Sequence, residues 1–352
     1  MHPQYLIIGQ GIAGTLLSYA LWKQGRSFIV IDEPHALPKA SLVAGAVINP
    51  VNVNRWTMVA SHQYYISAAL KTYSSMEETL GMALMEAMPM LVFHKDETKR
   101  RLYNEQQLLL PAYIQQPAGA DVTLAQHFFS NKYGMGKVNR VWKIHAAQLL
   151  SAWSHFLKSK GLLIQEHFNI AECRLSAQGI QYKAIGAEKI IFCEGAAAIN
   201  NPFFTTLPFT KNRGEALLLS VPGLPATYIY HYGIRLVPAG EGLFWCGSNY
   251  RWQFNNLLPD ENWRMQTEAT LRQWLSLPFE VVDHVVAERP TTEGQQFLTG
   301  THPAIPSVAI FNGLGTKGFS CGPALAQTLC KQLTDPDHAA ASTAIPLSRW
   351  IK

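Results

Sequence analysis

The residues of this chain whose types and spacing most directly suggest chemistry are Gly9-Gln10-Gly11-Ile12-Ala13-Gly14, a GxGxxG run. Each glycine has a separate task in such a run. Gly9 permits a tight turn, Gly11 lets a pyrophosphate approach backbone N–H groups, and Gly14 lets a following helix pack close. Ile12 and Ala13 would supply N–H groups at the start of that helix, whose partial positive charge favours phosphate. A carboxylate at the end of the next strand should accept hydrogen bonds from an adenosine ribose. Asp32 stands 18 residues after Gly14 and 23 after Gly9, near the expected ~20. Glu33 is the fallback for the same role. Two acids here, rather than an arginine, argue against a ribose bearing a 2′-phosphate. The turn alone leaves NAD and FAD open, because they share the adenosine half.

The turn needs its flanks. Tyr5-Leu6-Ile7-Ile8 reads as a buried strand, and Leu16, Leu17, Ala20 and Leu21 mark a helix that Gly25 stops. Phe28 to Ile31 is a second strand, completing strand, glycine turn, helix, strand and acid. Residues 41–53 read as a loop and 57–80 as a helix, while 85–139 read as short strands and loops. A helix is expected over His145–Lys160, stopped by Gly161, and a hairpin near 170–184. Strands follow at Lys189–Cys193, Ala216–Val221, Ile234–Val237, Leu243–Cys246, Val281–Ala287 and Val308–Asn312. The chain then closes on a glycine-rich loop from Gly313 to Gly322 and a helix through Leu333. Nucleotide-binding elements therefore occur in three separated pieces, with strand-rich material between them.

The 352 residues are 48% hydrophobic and only 15% charged, against ~25% charged in a typical domain. A large core is available and disorder is excluded. The greasiest stretch, Leu80 to Phe93, is broken by Glu86 and Pro89, so no membrane span is expected. With a strand beginning at Tyr5, no signal peptide is expected either, and the location read from the sequence is cytoplasmic. The five cysteines are odd in number and lack CxxC spacing, which points to reduced thiols rather than a disulfide framework. No HExxH or GxSxG run suggests a metal or a serine nucleophile. The net charge of +5 is spread along the chain, with Lys99-Arg100-Arg101 its densest block. That is a surface argument, and a nucleic-acid partner is the less favoured reading.

Beyond the glycine turn the chain resembles the D-amino acid oxidase and glycine oxidase family of FAD-dependent amine oxidoreductases. Ser41-Leu42-Val43-Ala44-Gly45-Ala46 resembles the family's serine-plus-small-residue loop beside the pyrophosphate and flavin ring, which puts Ser41, Ala44 and Gly45 at the cofactor. Ile190 to Ala196 is similar to its strand with a glycine ending, here Gly195. Arg289-Pro290-Thr291-Thr292, with Gly300 downstream, resembles its Arg-Pro-x-Thr block. Asn312-Gly313-Leu314-Gly315-Thr316-Lys317-Gly318-Phe319 and Pro323 resemble its closing turn, where Gly315, Lys317 and Gly318 would face the flavin's pyrimidine edge. That last wording is most similar to the branch that oxidatively removes a carboxymethyl group from an amine on tRNA wobble uridine. The departures are Cys193-Glu194 for the usual small residues, Gly294 for an aspartate and Phe297 for a proline.

The resemblance implies an α/β chain (α+β overall). A discontinuous Rossmann-like FAD-binding domain would span 1–80, 140–210 and 288–352, and an inserted β-rich substrate domain 81–139 and 211–287. It implies non-covalent FAD, an amine or amino-acid substrate, and dioxygen or another electron acceptor. Hydride would pass from the carbon beside the amine to flavin N5, and the imine would hydrolyse. Arg289 matches the family's carboxylate-binding arginine, a role a bidentate guanidinium suits. Arg235 would add a second cation, Lys317 would stabilise charge on the reduced ring, and Tyr232 and His231 would shape the pocket. Cys321 lies in the closing turn and reads as a buried inert thiol. Three alternatives stay open: oxidation of a hydroxy acid, which wants a pocket base such as His231; an amine carried on tRNA; and a flavin protein without turnover.

Overall fold

The computed structural model describes residues 2–33, 39–176, 179–335 and 346–351. Its first strand, Tyr5–Ile8, is buried at every position and lies inside a six-stranded sheet. In space the order is Leu163–Gln165, Phe28–Asp32, Tyr5–Ile8, Lys189–Phe192, Val308–Asn312 and Leu298–Thr301. The first five run parallel and the last is antiparallel at the edge. Strand order reverses between Tyr5–Ile8 and Lys189–Phe192. At such a switch point two chains leave the sheet in opposite directions and open a crevice above its carboxyl ends.

The first helix, Ile12–Lys23, is buried continuously from Ile12 to Leu21, as expected for a helix covered on all sides. It packs against the last helix, Gly318–Thr334. A Cβ at Gly318 would lie 2.9 Å from Ile12 Cγ2, and one at Gly322 2.8 Å from Leu16 Cδ1. The two helices meet at those glycines. Pro323 sits inside the last helix and has no N–H to give the carbonyl of Phe319. That carbonyl instead accepts a 2.8 Å hydrogen bond from Tyr73 Oη, on the buried face of helix His62–Leu80.

The second large sheet has eight strands, in the order Glu280–Thr292, Phe209–Ser220, Leu243–Gly247, Arg235–Gly240, Ile229–His231, Met90–Phe93, Met135–Val138 and Ile114–Gln115. Every pairing is antiparallel except Ile229–His231 with Met90–Phe93. The chain is thus α/β; two strands of this second sheet, Phe209–Ser220 and Glu280–Thr292, run past the bounds expected for the insertions, and Met85–Ala87 pairs instead with Trp142–Ile144 in a small separate sheet.

Several elements differ from the sequence reading. Residues 85–139 hold two helices, Glu97–Leu109 and Ala120–Phe128. The first buries only Tyr103 and starts on Asp96, whose side chain accepts from Lys99 N at 2.8 Å, so no apolar stripe announced it. Glu261–Trp274 is likewise capped, by Asp260. The loop expected over 41–53 contains a single helical turn, Ala40–Val43, and the helix expected from 57 starts at His62. The closing glycine loop is shorter than expected, because the last helix already begins at Gly318. The hairpin near 170–184 pairs Cys173–Ser176 with Gly179–Tyr182, and its tip lies outside the described residues. Gly25 and Gly161, at φ +66° and +68°, follow the helices they were expected to stop. All five cysteines are free. No helix among the described residues is long and apolar enough to cross a membrane.

The Tyr73–Phe319 bond makes a double-mutant prediction. Tyr73→Phe leaves a buried carbonyl without a donor and should cost about 1–3 kcal/mol, read from urea unfolding midpoints. Pro323→Ala restores the missing N–H, so the same Tyr73→Phe change should cost markedly less in that background. Equal costs in both backgrounds would show that the carbonyl is not the source of the effect.

Candidate active site

Above the switch point the backbone closes with almost no room for side chains. Gly9 lies at φ +96°, and a Cβ there would stand 2.6 Å from the Cys193 carbonyl oxygen; one on Gly14 would stand 1.9 Å from the Gly9 carbonyl oxygen. Gly11 differs. Its φ of −74° is ordinary, and its Cβ would meet only Ser41 Oγ, at 3.4 Å. Ser41 Oγ accepts from Ile12 N at 3.0 Å, placing a hydroxyl at the N-terminus of the first helix. Asp32 Oδ1 accepts from Gln10 N at 2.8 Å, and Lys39 Nζ donates to its other oxygen. Glu33 takes no part in this. It turns outward to within 2.9 Å of His167 Nδ1.

A cavity of about 1120 Å³, counted to its open mouth, begins here. Gly11, Ile12, Ala13, Ser41, Ala44 and Gly45 line it from the nucleotide-type sheet. Gly195, Gly315 and Gly318 line it from later turns, and Arg235 and Arg289 from the eight-stranded sheet. Asn312 joins two of those turns, donating through Nδ2 to the Gly195 carbonyl at 2.9 Å while Oδ1 accepts from Gly313 N at 2.8 Å. Lys317 borders a smaller adjoining cavity, with Nζ 5.9 Å from the Phe297 ring centre.

Sequence reasoning missed the residues that hold these in place. Trp245 Nε1 donates to the Val43 carbonyl at 2.8 Å, and its ring lies where a Cβ on Gly45 would come within 2.8 Å. Arg289 is fixed on three sides. Nη1 donates to Asn212 Oδ1 (2.6 Å) and the Asn249 carbonyl (3.1 Å), Nη2 donates to Ser248 Oγ (2.8 Å), and the Tyr250 ring centre is 4.8 Å away. A Cβ on Gly214 would strike Arg289 Nη2 at 1.9 Å. These partners come from a strand (Asn212) and from the segment after another (248–250), all distant in sequence from Arg289, and no local pattern marks them.

Not every expected residue reaches the cavity. Tyr232 points away from it, stacked on Trp274 at 5.5 Å with Lys95 Nζ 5.4 Å over its ring. His231 is buried and does not line the cavity. Burial, with the charges of Arg235 and Lys95, pushes its pKa down to about 3. Cys193 lines the cavity and Cys321 does not. Burial raises both thiols above their ordinary range.

The sequence profile of the family described as FAD dependent oxidoreductase matches residues 4–332. The tRNA 5-methylaminomethyl-2-thiouridine biosynthesis bifunctional protein of Caulobacter vibrioides is 24% identical over 340 residues, 94% of this chain and 54% of that protein. The chain therefore spans about half the length of this relative. The crystal structure of glycine oxidase from Geobacillus kaustophilus superposes with a TM-score of 0.79 at 14% identity, covering 99% of this chain and 98% of that one. The iminodiacetate oxidase of a Chelativorans species gives 0.75 at 19% identity, covering 99% and 98%. At these identities the two structures speak to the fold.

The glycines make separable predictions. Gly11→Ala should leave the melting temperature of the flavin-free protein within a degree or two, since its Cβ meets only one hydroxyl. The same change should weaken FAD binding at least tenfold by intruding on the cavity. Gly14→Ala should lower the melting temperature whether or not FAD is present. Thermal melts with and without added FAD check both outcomes.

Proposed function

The chain belongs to the FAD-dependent oxidoreductase family, and from that membership we propose that it oxidises the C–N bond of an amino-acid-like amine. The observation that carries this reading is the state of Arg289. Its guanidinium borders the cavity, and its hydrogen-bond acceptors are an amide, a carbonyl and a hydroxyl, all neutral. A fixed cation without an acid partner is a receptor for a substrate carboxylate.

The residues fit FAD. Gly9, Gly11 and Gly14 leave the backbone bare beside the N-terminus of the first helix, where pyrophosphate is favoured. Asp32 is oriented by Gln10 N and Lys39 and keeps lone pairs for ribose hydroxyls. Gly45 is kept free of a side chain by Trp245. When bound, FAD supplies the two-electron acceptor and passes the electrons to dioxygen or another acceptor. Arg289 orients the amine by its carboxylate, and Gly214 leaves space for the guanidinium. Lys317 and the N-terminus of the last helix, at Gly318, bring positive charge to the rim, where it would stabilise a reduced ring. The oxidised substrate, an imine, then hydrolyses to carbonyl and amine. We take the cofactor as non-covalent, since burial keeps the Cys193 and Cys321 thiols protonated. We also take the two large sheets as cores of two domains, with 1–80, 140–210 and 288–352 in one and 81–139 and 211–287 in the other.

Hydroxy-acid oxidation has less support. It needs a base for the hydroxyl proton, yet His231 is off the cavity and a poor proton acceptor. Glu215, which does border it, is held by Arg213 at 3.2 Å and His284 at 3.1 Å. An amine carried on tRNA is favoured by one observation. Tyr250 and Trp252, both largely exposed, flank the smaller cavity and offer faces on which a base could stack.

Anaerobic additions to the flavin-loaded protein test the reading. Carboxylate-bearing amines, free or on modified tRNA, should bleach the flavin, and hydroxy acids should not; bleaching by hydroxy acids alone would overturn it. Arg289→Gln should raise the KM of the active amine about 100-fold or more while lowering kcat far less. Acid precipitation should leave all flavin in the supernatant, and flavin retained in the pellet would contradict the non-covalent assignment.

A further inference from the structure

Arg235 starts the strand Arg235–Gly240, and it is the second cation at the cavity. Across the sheet it is paired with Gly247, and Gly247 with Ala216. Directly paired residues on antiparallel strands project to one face, so Arg235, Gly247 and Ala216 share a row. Two residues from Ala216 is Gly214, the position covered by the Arg289 guanidinium. With strands ~4.8 Å apart and ~3.4 Å of rise per residue, Arg235 and Gly214 are about 12 Å apart at the backbone. Between them the floor is Gly247 and Ala216, neither of which projects beyond a methyl. The Trp245 ring walls it on one side, close against Gly247.

Among the described residues neither guanidinium has a counter-charge. The Arg235 side chain makes no ion pair or hydrogen bond there, and its Nε is buried without a partner. Glu215, the acid that borders the cavity, is fully used: Oε1 accepts from Asn249 Nδ2 at 3.0 Å, and Oε2 accepts from Asp260 N at 2.8 Å and faces Arg213 and His284. Burial disfavours the charge on both arginines, and Tyr250 bears electrostatically on both. Two uncompensated cations beside one cavity are costly unless a ligand supplies the anions.

We propose that the substrate is an amine carrying two carboxylates, one bound by Arg289 and the other by Arg235 across the floor of Gly214, Ala216 and Gly247. This rests on the amine-oxidation reading. It assigns Arg235 as the residue that selects diacids over simple amino acids such as glycine.

Two unreactive acids test it on the FAD-loaded protein: thiodiacetate, with sulfur in place of the amine and two carboxylates, and methylthioacetate, with one. Titration followed by the flavin spectrum should show thiodiacetate binding at least tenfold tighter. Arg235→Gln should abolish that advantage while changing methylthioacetate affinity by less than twofold, and Arg235→Lys should retain part of it. Arg289→Gln should weaken both acids. Equal affinity of the two acids for the unmutated protein overturns the second subsite, a result that needs no variant to fold. If Arg289→Gln still weakens both in that case, the amine-oxidation reading stands alone. If neither acid responds to Arg289→Gln, or neither binds, the carboxylate clamp and the diacid proposal fall together.

Discussion

The contact between Gly14 and the carbonyl of Gly9, which leaves no space for even a methyl group, sets the geometry of the rest. It brings the first helix down onto the turn that leaves the central strand, and the same turn presses on the Cys193 carbonyl across the switch point. A bare backbone at that spot is what opens a crevice instead of filling it. The helical turn Ala40–Val43 and the turns at Gly195 and Gly313–Lys317 then gather round the crevice, fastened by Ser41, Asn312 and Trp245. Trp245 comes from the other sheet, so one indole hydrogen bond ties the two halves of the molecule at the cavity.

The long strands Phe209–Ser220 and Glu280–Thr292 sort charge between the two faces of that second sheet. Glu215 belongs to a cluster with Arg213, His284 and Asn249, in which its carboxylate faces the first two and accepts from the amide of the third. Gly214 and Ala216, its neighbours along the strand, are small, and the arginines beside them are left unneutralised. The alternation of side chains along a strand thus sets an ion-paired carboxylate beside two positions small enough to leave the arginines room, within three consecutive residues.

The strand, glycine turn, helix, strand and acid were legible because each leaves a local mark: a run of buried aliphatics, glycines at fixed spacing, a stop at Gly25. The bounds of the second sheet were less legible: Phe209–Ser220 and Glu280–Thr292 run across the expected divisions, and Met85–Ala87 pairs outside that sheet. The polar helices were not legible, because Glu97–Leu109 and Glu261–Trp274 bury few residues each and so lack an apolar period. At the cavity, Gly11, Gly45, Gly195, Gly315, Gly318 and Arg289 had been singled out through their motifs. Tyr232 was misplaced because nearness in sequence to Arg235 says little across a turn, where the chain changes face. Trp245, Asn212, Ser248 and Tyr250 act through pairings that only the folded register creates.

The position of the first strand also bears on how the molecule is made. The strand Tyr5–Ile8 is translated before its neighbour Lys189–Phe192, which follows some 180 residues later, a wait of roughly 10–40 s at ~5–20 residues per second. The strand beyond that, Val308–Asn312, comes later still. Until Lys189–Phe192 is made, one edge of a buried, apolar strand has no partner, and the crevice cannot exist before its far side has been made.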